Sequence, residues 1–301
     1  HNGLAEWADA VVAVMGITPL MEGENGECIG SSDGGERDTM GLPAHQLAAL
    51  RETKKVGKPI VLVLTGGSPI CEPELEELAD AILYVWYPGQ EGGAAVGDVL
   101  FGRQSPSGRL PVTVPRSIDQ LPAYEDYAMK GRTYRYMTGE PLYPFGFGLS
   151  YTRFEYGPME LSKRRVKPGQ SLRATVEVKN AGPRTADPRG TSGASVPVGV
   201  SPRSPGNAAE EVVQLYLTDD AASTATPRWA LKAFQRIRLK PGQSKKVRFT
   251  ITPEMMRLIN DNGEAVLEPG TFTVTIGGAC PHPRAQALGA PAPAVGRFEL
   301  T

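Results

Sequence analysis

From residue 1 to about 150, continuous apolar runs alternate with segments whose apolar side chains recur at helical spacing. Three apolar runs rich in β-branched residues cover residues 10–15, 60–64 and 81–86. Such runs are typical of parallel strands that are covered on both faces. Residues 45–55 place Leu47 and Leu50 among polar side chains and predict an amphipathic helix, and residues 92–100 predict a second one. Strands that alternate with helices indicate a layered α/β domain.

Beyond about residue 155 the pattern changes to an alternation of apolar and polar residues, which is typical of half-exposed antiparallel strands. The alternating segments are residues 172–180, 211–217, 246–251 and 270–277, with Pro-Gly turns at 168–169, 241–242 and 269–270. Short strands separated by regular turns predict an all-β sandwich of the immunoglobulin-like type. We therefore expect an α/β domain at residues 1–156 and a β-sandwich at residues 157–301.

Two proline-rich segments interrupt the sandwich. Residues 183–207 contain few large apolar side chains and predict a flexible surface insertion between two strands. Residues 281–293, rich in Pro and Ala, predict a second loop of the same kind. Neither segment carries a recognisable chemical motif.

The composition argues against several classes of protein. A formal net charge of -1 gives no basic face for a nucleic acid, and the absence of any apolar run of about 18 residues argues against a membrane span. The three cysteines are too few and too scattered for a disulfide framework or a metal site, so we expect no metal and no cofactor. A nucleotide-binding α/β protein is disfavoured, because neither a Gly-x-Gly-x-x-Gly nor a Walker-type motif is present.

The first strand begins within about ten residues of the amino terminus, and no basic stretch followed by an apolar run precedes it. We expect a truncated or processed polypeptide, from which a signal peptide could also have been lost. The location of the protein therefore stays open, and a secreted or periplasmic protein is compatible with the sequence.

Two stretches carry candidate chemistry. Glu22, Glu24 and Glu27 follow the first strand in a Gly-rich segment, where α/β folds commonly place ligand-binding groups. Taken alone, glutamates in a polar loop are more often solvated surface. Residues 132–151 are dense in aromatic side chains and glycine, which suits a sugar-contacting surface better than an ordinary strand.

An ordered series of motifs covers nearly all of residues 5–156. It comprises Glu22-Gly23, Gly35-Glu36-Arg37-Asp38, Leu42-Pro43-Ala44-His45-Gln46, Gly57-Lys58-Pro59, Trp86-Tyr87-Pro88-Gly89-Gln90-Glu91-Gly92-Gly93 and Pro106-Ser107-Gly108-Arg109-Leu110-Pro111. This series resembles the C-terminal half of a family 3 glycoside hydrolase. Residues 211–217, 231–234 and 239–242 resemble the fibronectin type III-like domain that follows the α/β domain in many of these enzymes.

The resemblance implies roles for individual residues. The family's general acid/base is usually a glutamate on the loop that follows the first strand, for which Glu22 is the first choice and Glu24 the runner-up. The candidates for substrate binding are Arg132, Tyr134 and Trp86. Arg132 and Tyr134 either line the sugar groove or pin the two domains together, and Trp86 either forms a sugar platform or packs between domains.

The family's nucleophile is an aspartate of an N-terminal barrel domain, and no segment of this chain has the length or repeating βα pattern of that barrel. The resemblance therefore implies the C-terminal portion of a retaining β-glucosidase, which removes terminal β-D-glucosyl residues from a β-linked oligosaccharide or aryl glycoside. Its partner would be the barrel domain of the same enzyme, and we expect no hydrolysis by this chain alone. A β-xylosidase and a non-catalytic module for sugar binding or domain association are the alternatives.

Overall fold

The structure of the protein is a computed structural model that describes residues 3–23, 29, 37–183 and 208–301. Its first part contains the helices α1 (Gly3–Trp7), α2 (Pro19–Glu22), α3 (Ala44–Lys54), α4 (Leu75–Leu78), α5 (Gly92–Leu100) and α6 (Thr133–Tyr136), and the strands β1 (Val11–Gly16), β2 (Ile60–Thr65) and β3 (Ala81–Tyr84). The strands form a parallel sheet in the order β1-β2-β3. The strand and helix pattern predicted from the sequence is therefore confirmed for this part of the chain.

The hydrophobic core of the first domain lies between this sheet and α3. Leu47 and Leu50 of α3 pack with Leu62 and Leu64 of β2, and the whole of β2 is largely buried because it is the central strand. β1 differs from the expectation of cover on both faces. Val12 and Val14 are 50% and 66% exposed, so among the described residues only the other face of β1 packs on the core.

The second domain is a sandwich of two mainly antiparallel sheets. Its strands are β4 (Thr152–Tyr156), β5 (Glu160–Leu161), β6 (Arg165–Val166), β7 (Leu172–Pro183), β8 (Ala209–Asp219), β9 (Ala230–Leu239), β10 (Ser244–Ile251), β11 (Leu258–Ile259), β12 (Ala265–Val266), β13 (Gly270–Gly277) and β14 (Ala294–Leu300), with the helices α7 (Pro253–Met256) and α8 (Pro283–Ala287). One sheet has the order β10-β7-β4 and the other β6-β14-β13-β8-β9. Alternate apolar residues such as Val176, Leu215 and Phe272 fill one core between the sheets, as the alternating sequence pattern predicts.

The strand pairing bears on where the domains meet. β4 pairs with β7 in the sandwich, with Glu155 opposite Lys179, so it belongs to the second domain. We therefore propose a boundary between residues 151 and 152, a few residues before the position 156 expected from the sequence. The predicted insertion at residues 183–207 lies almost entirely outside the described residues.

Residues 281–293 are not the loose loop that their composition predicts. Within them, α8 packs Ala285 and Leu288 against Phe147 of the first domain. Arg284 donates two hydrogen bonds to the carboxylate of Glu76 at 2.5 and 2.7 Å, which joins α8 to α4. The prediction was wrong because a Pro- and Ala-rich segment can start a helix at proline and bury its small side chains against a neighbour.

Candidate acid and base site

Glu22 lies at the edge of the sheet where the parallel strands end. Gly16 closes β1, and α2 begins three residues later with Pro19, whose fixed φ suits the first helical position. The backbone N–H of Glu22 donates to the carbonyl of Thr18, and Gly23 then ends the helix. Glu22 is therefore fixed by a short helix, whereas the sequence suggested a loop. The carboxyl edge of such a sheet is the usual place for ligand-binding groups.

Three donors surround the carboxylate of Glu22. The backbone N–H of Gly67 donates to Oε2 at 2.7 Å, the hydroxyl of Tyr87 donates to the same oxygen, and the hydroxyl of Ser68 donates to Oε1. Gly67 and Ser68 follow β2, and Tyr87 follows β3, so all three come from the carboxyl ends of neighbouring strands. A Cβ on Gly67 would lie 2.8 Å from Oε2, which explains why glycine is needed for this approach.

The turn that carries Gly67 and Ser68 is itself held in place. The hydroxyl of Tyr84 donates to the carbonyl of Ser68 at 2.8 Å and accepts the N–H of Ile70 at 3.0 Å. The guanidinium of Arg37 donates to the carbonyl of Pro69 at 2.5 Å. These contacts fix the backbone of the turn, and they fix the direction of its donors as a result.

The environment of Glu22 favours its ionised form. Burial raises the pKa of the carboxyl, but the hydrogen bonds from Ser68, Tyr87 and Gly67, with the charge of Arg37, outweigh burial and lower the pKa overall. Burial, together with the hydrogen bond to Glu22, raises the pKa of Tyr87 to about 12, so this hydroxyl keeps its proton and remains a donor. In this structure the site thus presents an ionised carboxylate.

The remaining candidates lie in different places. Glu24 is outside the described residues. Trp86 immediately precedes Tyr87, and its ring lies 4.4 Å from that of Tyr84. Arg132 donates to the backbone carbonyls of Ala123, Asp126 and Ala128, which holds the preceding loop together.

Tyr134 lies where the two domains meet. Its ring stacks on Phe145 with centroids 4.2 Å apart, and it meets Tyr216 of β8 edge-on. Its hydroxyl accepts the backbone N–H of Leu231 in β9 at 3.2 Å. These contacts correspond to the domain-pinning role that the sequence left open for Tyr134. Both Arg132 and Tyr134 are distant in sequence from the residues that donate to Glu22.

Comparison with known proteins matches both domains. Residues 2–151 match the family model of the glycosyl hydrolase family 3 C-terminal domain, and residues 211–280 match that of a fibronectin type III-like domain. The chain belongs to glycoside hydrolase family 3. The matched parts follow each other in the order that the sequence motifs predict, so the expected fold, an α/β sandwich domain followed by a fibronectin type III-like sandwich, is confirmed.

Relatives in this family are longer than the chain. A periplasmic β-glucosidase of Salmonella typhimurium is 38% identical over 91% of the chain but only 33% of its own length, and a β-xylosidase of Formosa agariphila is 35% identical over 91% of the chain and 34% of its own length. A solved β-glucosidase from Erythrobacter marinus is 31% identical, with a TM-score of 0.76 over the whole chain and 35% of that protein. The chain therefore spans about a third of the relatives that it matches.

A mutant β-glucosidase from Listeria innocua, solved in complex with laminaribiose, has the same architecture. It is 29% identical to the chain, with a TM-score of 0.75 over 100% of the chain and 37% of its own length. The relatives and neighbours thus include proteins named for glucosides and for xylosides, and in each of them the chain corresponds to a minor part of the whole.

Sequence reasoning missed the donors around Glu22 in this family 3 chain. Ser68 and Tyr87 were not candidates, although both stand just beyond the end of an apolar run. The carboxyl ends of adjacent parallel strands meet at one edge, so polar residues directly after β2 and β3 could have been expected near Glu22. The available signal was therefore the position of these residues after the strands.

The described part of the chain contains neither a cluster suited to a metal ion nor a membrane-spanning helix. No group of three or more His, Cys, Asp or Glu side chains in it has an arrangement that could hold a metal ion. Its helices are all too short or too polar to cross a membrane.

Proposed function

We propose that this chain is the portion of a retaining β-glycosidase that supplies the general acid/base, with Glu22 in that role and Glu24 as the runner-up. The observation that carries the proposal is the carboxylate of Glu22 held by three donors at the carboxyl edge of the sheet. Membership of glycoside hydrolase family 3 supports the reaction class, because hydrolysis of a glycoside requires an acid/base of this kind. Trp86, next to Tyr87 in the chain, is the proposed sugar-facing aromatic residue.

The proposed mechanism divides the catalytic groups between domains. The family resemblance assigns the nucleophile to an aspartate of the barrel domain, which would attack the anomeric carbon while Glu22 protonates the departing oxygen. Glu22 would then remove a proton from water, so that hydrolysis of the covalent intermediate retains the configuration of the sugar. Both steps need a carboxyl group that changes protonation state once in each half of the cycle.

The ionisation of Glu22 is consistent with an acid/base in this chain and a nucleophile in the barrel domain. In the chain alone the pKa of Glu22 is lowered, because its hydrogen bonds and Arg37 outweigh burial. A second carboxylate brought close to Glu22 would disfavour its charge and raise its pKa. The barrel domain would therefore help Glu22 to hold the proton that the first step needs. Because the family resemblance assigns the nucleophile to that domain, we expect the 301-residue chain by itself not to hydrolyse an aryl β-glucoside.

The acid/base role can be tested in the enzyme that contains this chain together with the barrel domain. A Glu22→Ala variant should lose roughly 100- to 10,000-fold of kcat/KM on a β-glucoside whose leaving group needs protonation. With a dinitrophenyl β-glucoside, which needs no acid, azide should restore turnover and yield the β-glucosyl azide, since a small anion can replace the missing base. The matched variant is Glu24→Ala, which should keep the activity that Glu22→Ala loses. Full activity of Glu22→Ala would show that another residue is the acid/base.

The sugar is proposed to be glucose, with xylose as the alternative. Relatives named as β-glucosidases and as β-xylosidases match similar shares of the chain, so both substrates have support. Comparison of kcat/KM for the same aryl leaving group on β-glucose and β-xylose decides between them. A preference for the xyloside would replace the β-glucosidase assignment and leave the role of Glu22 unchanged.

A further inference from the structure

We propose that Tyr87 is a positioning residue for the acid/base, and that it acts with Ser68 to fix the orientation and the proton affinity of the Glu22 carboxyl. This inference rests on the proposed function of Glu22. Tyr87 and Ser68 bind different oxygens of the same carboxylate, and Gly67 adds a third hydrogen bond. A carboxylate whose two oxygens are both engaged cannot rotate freely about its terminal bond.

The backbone before Tyr87 supports this assignment. Trp86 has a φ of 55°, which is in the left-handed region and is rare for a bulky side chain. Such a conformation persists where the surroundings impose it, and it concentrates at functional sites. The carbonyl of Trp86 accepts the N–H of Gly66 at 3.3 Å, and its ring packs on Tyr84. This backbone turn ends the straight course of β3 and is followed directly by the residue whose hydroxyl meets Glu22.

Ser68 reaches Glu22 from the opposite side with comparable support. Tyr84 binds the backbone on both sides of Pro69, at Ser68 and at Ile70. The hydroxyl of Ser68 therefore starts from a fixed backbone, as the hydroxyl of Tyr87 does. Two strand ends, which Tyr84 contacts through its hydroxyl and its ring, thus converge on one carboxylate.

Tyr87 lies at the surface of the domain. The residue is 44% exposed, so it is not part of the hydrophobic core. Removal of the hydroxyl should therefore leave the packing of the domain intact. What it should change is the balance between the charged and neutral forms of Glu22, because the donor stabilises only the charged form.

The sign of the effect follows from this balance. Loss of a donor raises the pKa of Glu22, so the acid keeps its proton to a higher pH. The alkaline limb of the kcat/KM profile, which reports loss of a proton from the essential acid in the free enzyme, should move to higher pH. A Glu22 carboxyl with one hydrogen bond fewer is less firmly oriented. The maximum of kcat/KM should therefore also fall by about tenfold, since a small misplacement of a reacting group slows the reaction.

The test uses Tyr87→Phe and Ser68→Ala in the enzyme that contains this chain together with the barrel domain. The pH profile of kcat/KM is measured for each variant on one aryl β-glucoside. Each variant should shift the alkaline limb upward by roughly one pH unit. Ser68→Thr, which keeps a hydroxyl, should restore the original profile. Tyr124→Phe removes a hydroxyl from a residue that is 85% exposed and is not among the donors to Glu22, and it should leave the profile unchanged.

An alkaline limb that stays in place in both Tyr87→Phe and Ser68→Ala would overturn the inference. The Glu22→Ala variant measured alongside separates this failure from failure of the proposed function. If azide rescues Glu22→Ala while the two hydroxyl variants keep the wild-type profile, only the positioning role is wrong. If Glu22→Ala keeps full activity, the acid/base assignment fails and the positioning role fails with it.

Discussion

Glu211 is 1% exposed, and its charge is compensated entirely from inside the protein. Arg109 of the first domain donates to both of its carboxylate oxygens at 3.0 Å, and the hydroxyl of Tyr156 donates to Oε1 at 3.2 Å. Burial raises the pKa of Glu211, and the charge and hydrogen bonds of Arg109 counteract that rise. A buried pair of this kind adds little net stability over apolar packing, but it becomes costly when one partner is lost.

Replacement of Arg109 by methionine should destabilise the protein by roughly 3–5 kcal/mol near neutral pH, because Glu211 would remain buried without its counter-charge. Glu210, the neighbouring residue on β8, offers a matched control, since its partner Arg236 is about half exposed. Arg236→Met should cost less than about 1 kcal/mol. Urea unfolding of the wild-type chain and both variants measures the difference, and equal losses for the two arginines would contradict the expected cost of burial.

The pH dependence of this loss has a definite sign. Without Arg109, Glu211 keeps the hydrogen bond from Tyr156 but loses the charge that counteracts burial most strongly, so burial holds its folded pKa further above the value of 4.5 expected in the unfolded chain. An acid with a raised folded pKa imposes no cost below its unfolded pKa and an increasing cost as the pH rises towards its folded pKa. The Arg109→Met variant should therefore be closer to wild type at about pH 5 than at about pH 8.

At the scale of elements, the segment that ends the first domain is held against β8 by a glycine. Gly146 has a φ of 72°, and a Cβ there would lie 2.3 Å from Oε1 of Gln214 and 2.9 Å from the hydroxyl of Tyr216. Gln214 also donates to the carbonyl of Gly146 at 3.0 Å. The close approach of the backbone is thus part of the contact between the domains.

Gly146→Ala should lower the free energy of unfolding by roughly 2–4 kcal/mol, since left-handed backbone strain and overpacking add together. Gly242, in the turn between β9 and β10, has a φ of 79° with no atom within 4 Å of its Cβ position. Gly242→Ala should therefore incur only the backbone cost of about 1–2 kcal/mol. Thermal unfolding of the two variants compares these losses directly. A loss for Gly146→Ala no larger than that for Gly242→Ala would show that the contact with Gln214 yields easily.

The elements were predictable where local pattern and tertiary structure agree. β2 is an apolar run and is also a central strand, and β10 alternates in sequence and in burial. β3 was expected to reach residue 86 but ends at Tyr84, because Trp86 adopts a left-handed conformation that apolar character cannot reveal. The helix α8 was missed because its small residues are stabilised by contact with the first domain.

The candidate site was predictable only in part, for a related reason. Glu22 was marked by its place after β1 and by the family motif, both of which are local in sequence. Its donors lie 45 to 65 residues away, and they meet it only through the register of the parallel sheet. Tyr134 is an aromatic residue of the kind that binds sugars, whereas its observed contacts with Tyr216 and Leu231 depend on how the domains meet.

At the scale of the whole molecule, several contacts combine to hold the two domains together. The edge-on contact of Tyr134 with Tyr216, the buried pair of Arg109 and Glu211, and the pair of Arg284 and Glu76 all join the first domain to the sandwich. These contacts lie on the side of the first domain that faces the sandwich. β1, in contrast, is an edge strand. Among the described residues it pairs with β2 on one side and with no strand on the other.

Val12 and Val14 make β1 an apolar edge strand, and such an edge can pair with another chain. We expect the 301-residue chain to self-associate across the micromolar range, and Val14→Lys to reduce that association, because a lysine on an edge opposes pairing and burial. Size-exclusion chromatography with light scattering measures both. The matched control is Val295→Lys, since Val295 is 57% exposed on β14 of the sandwich, which is not part of the sheet that contains β1. That variant should associate as the wild type does. If the wild-type chain is monomeric, or if both lysine variants lower association equally, the edge of β1 is not the cause.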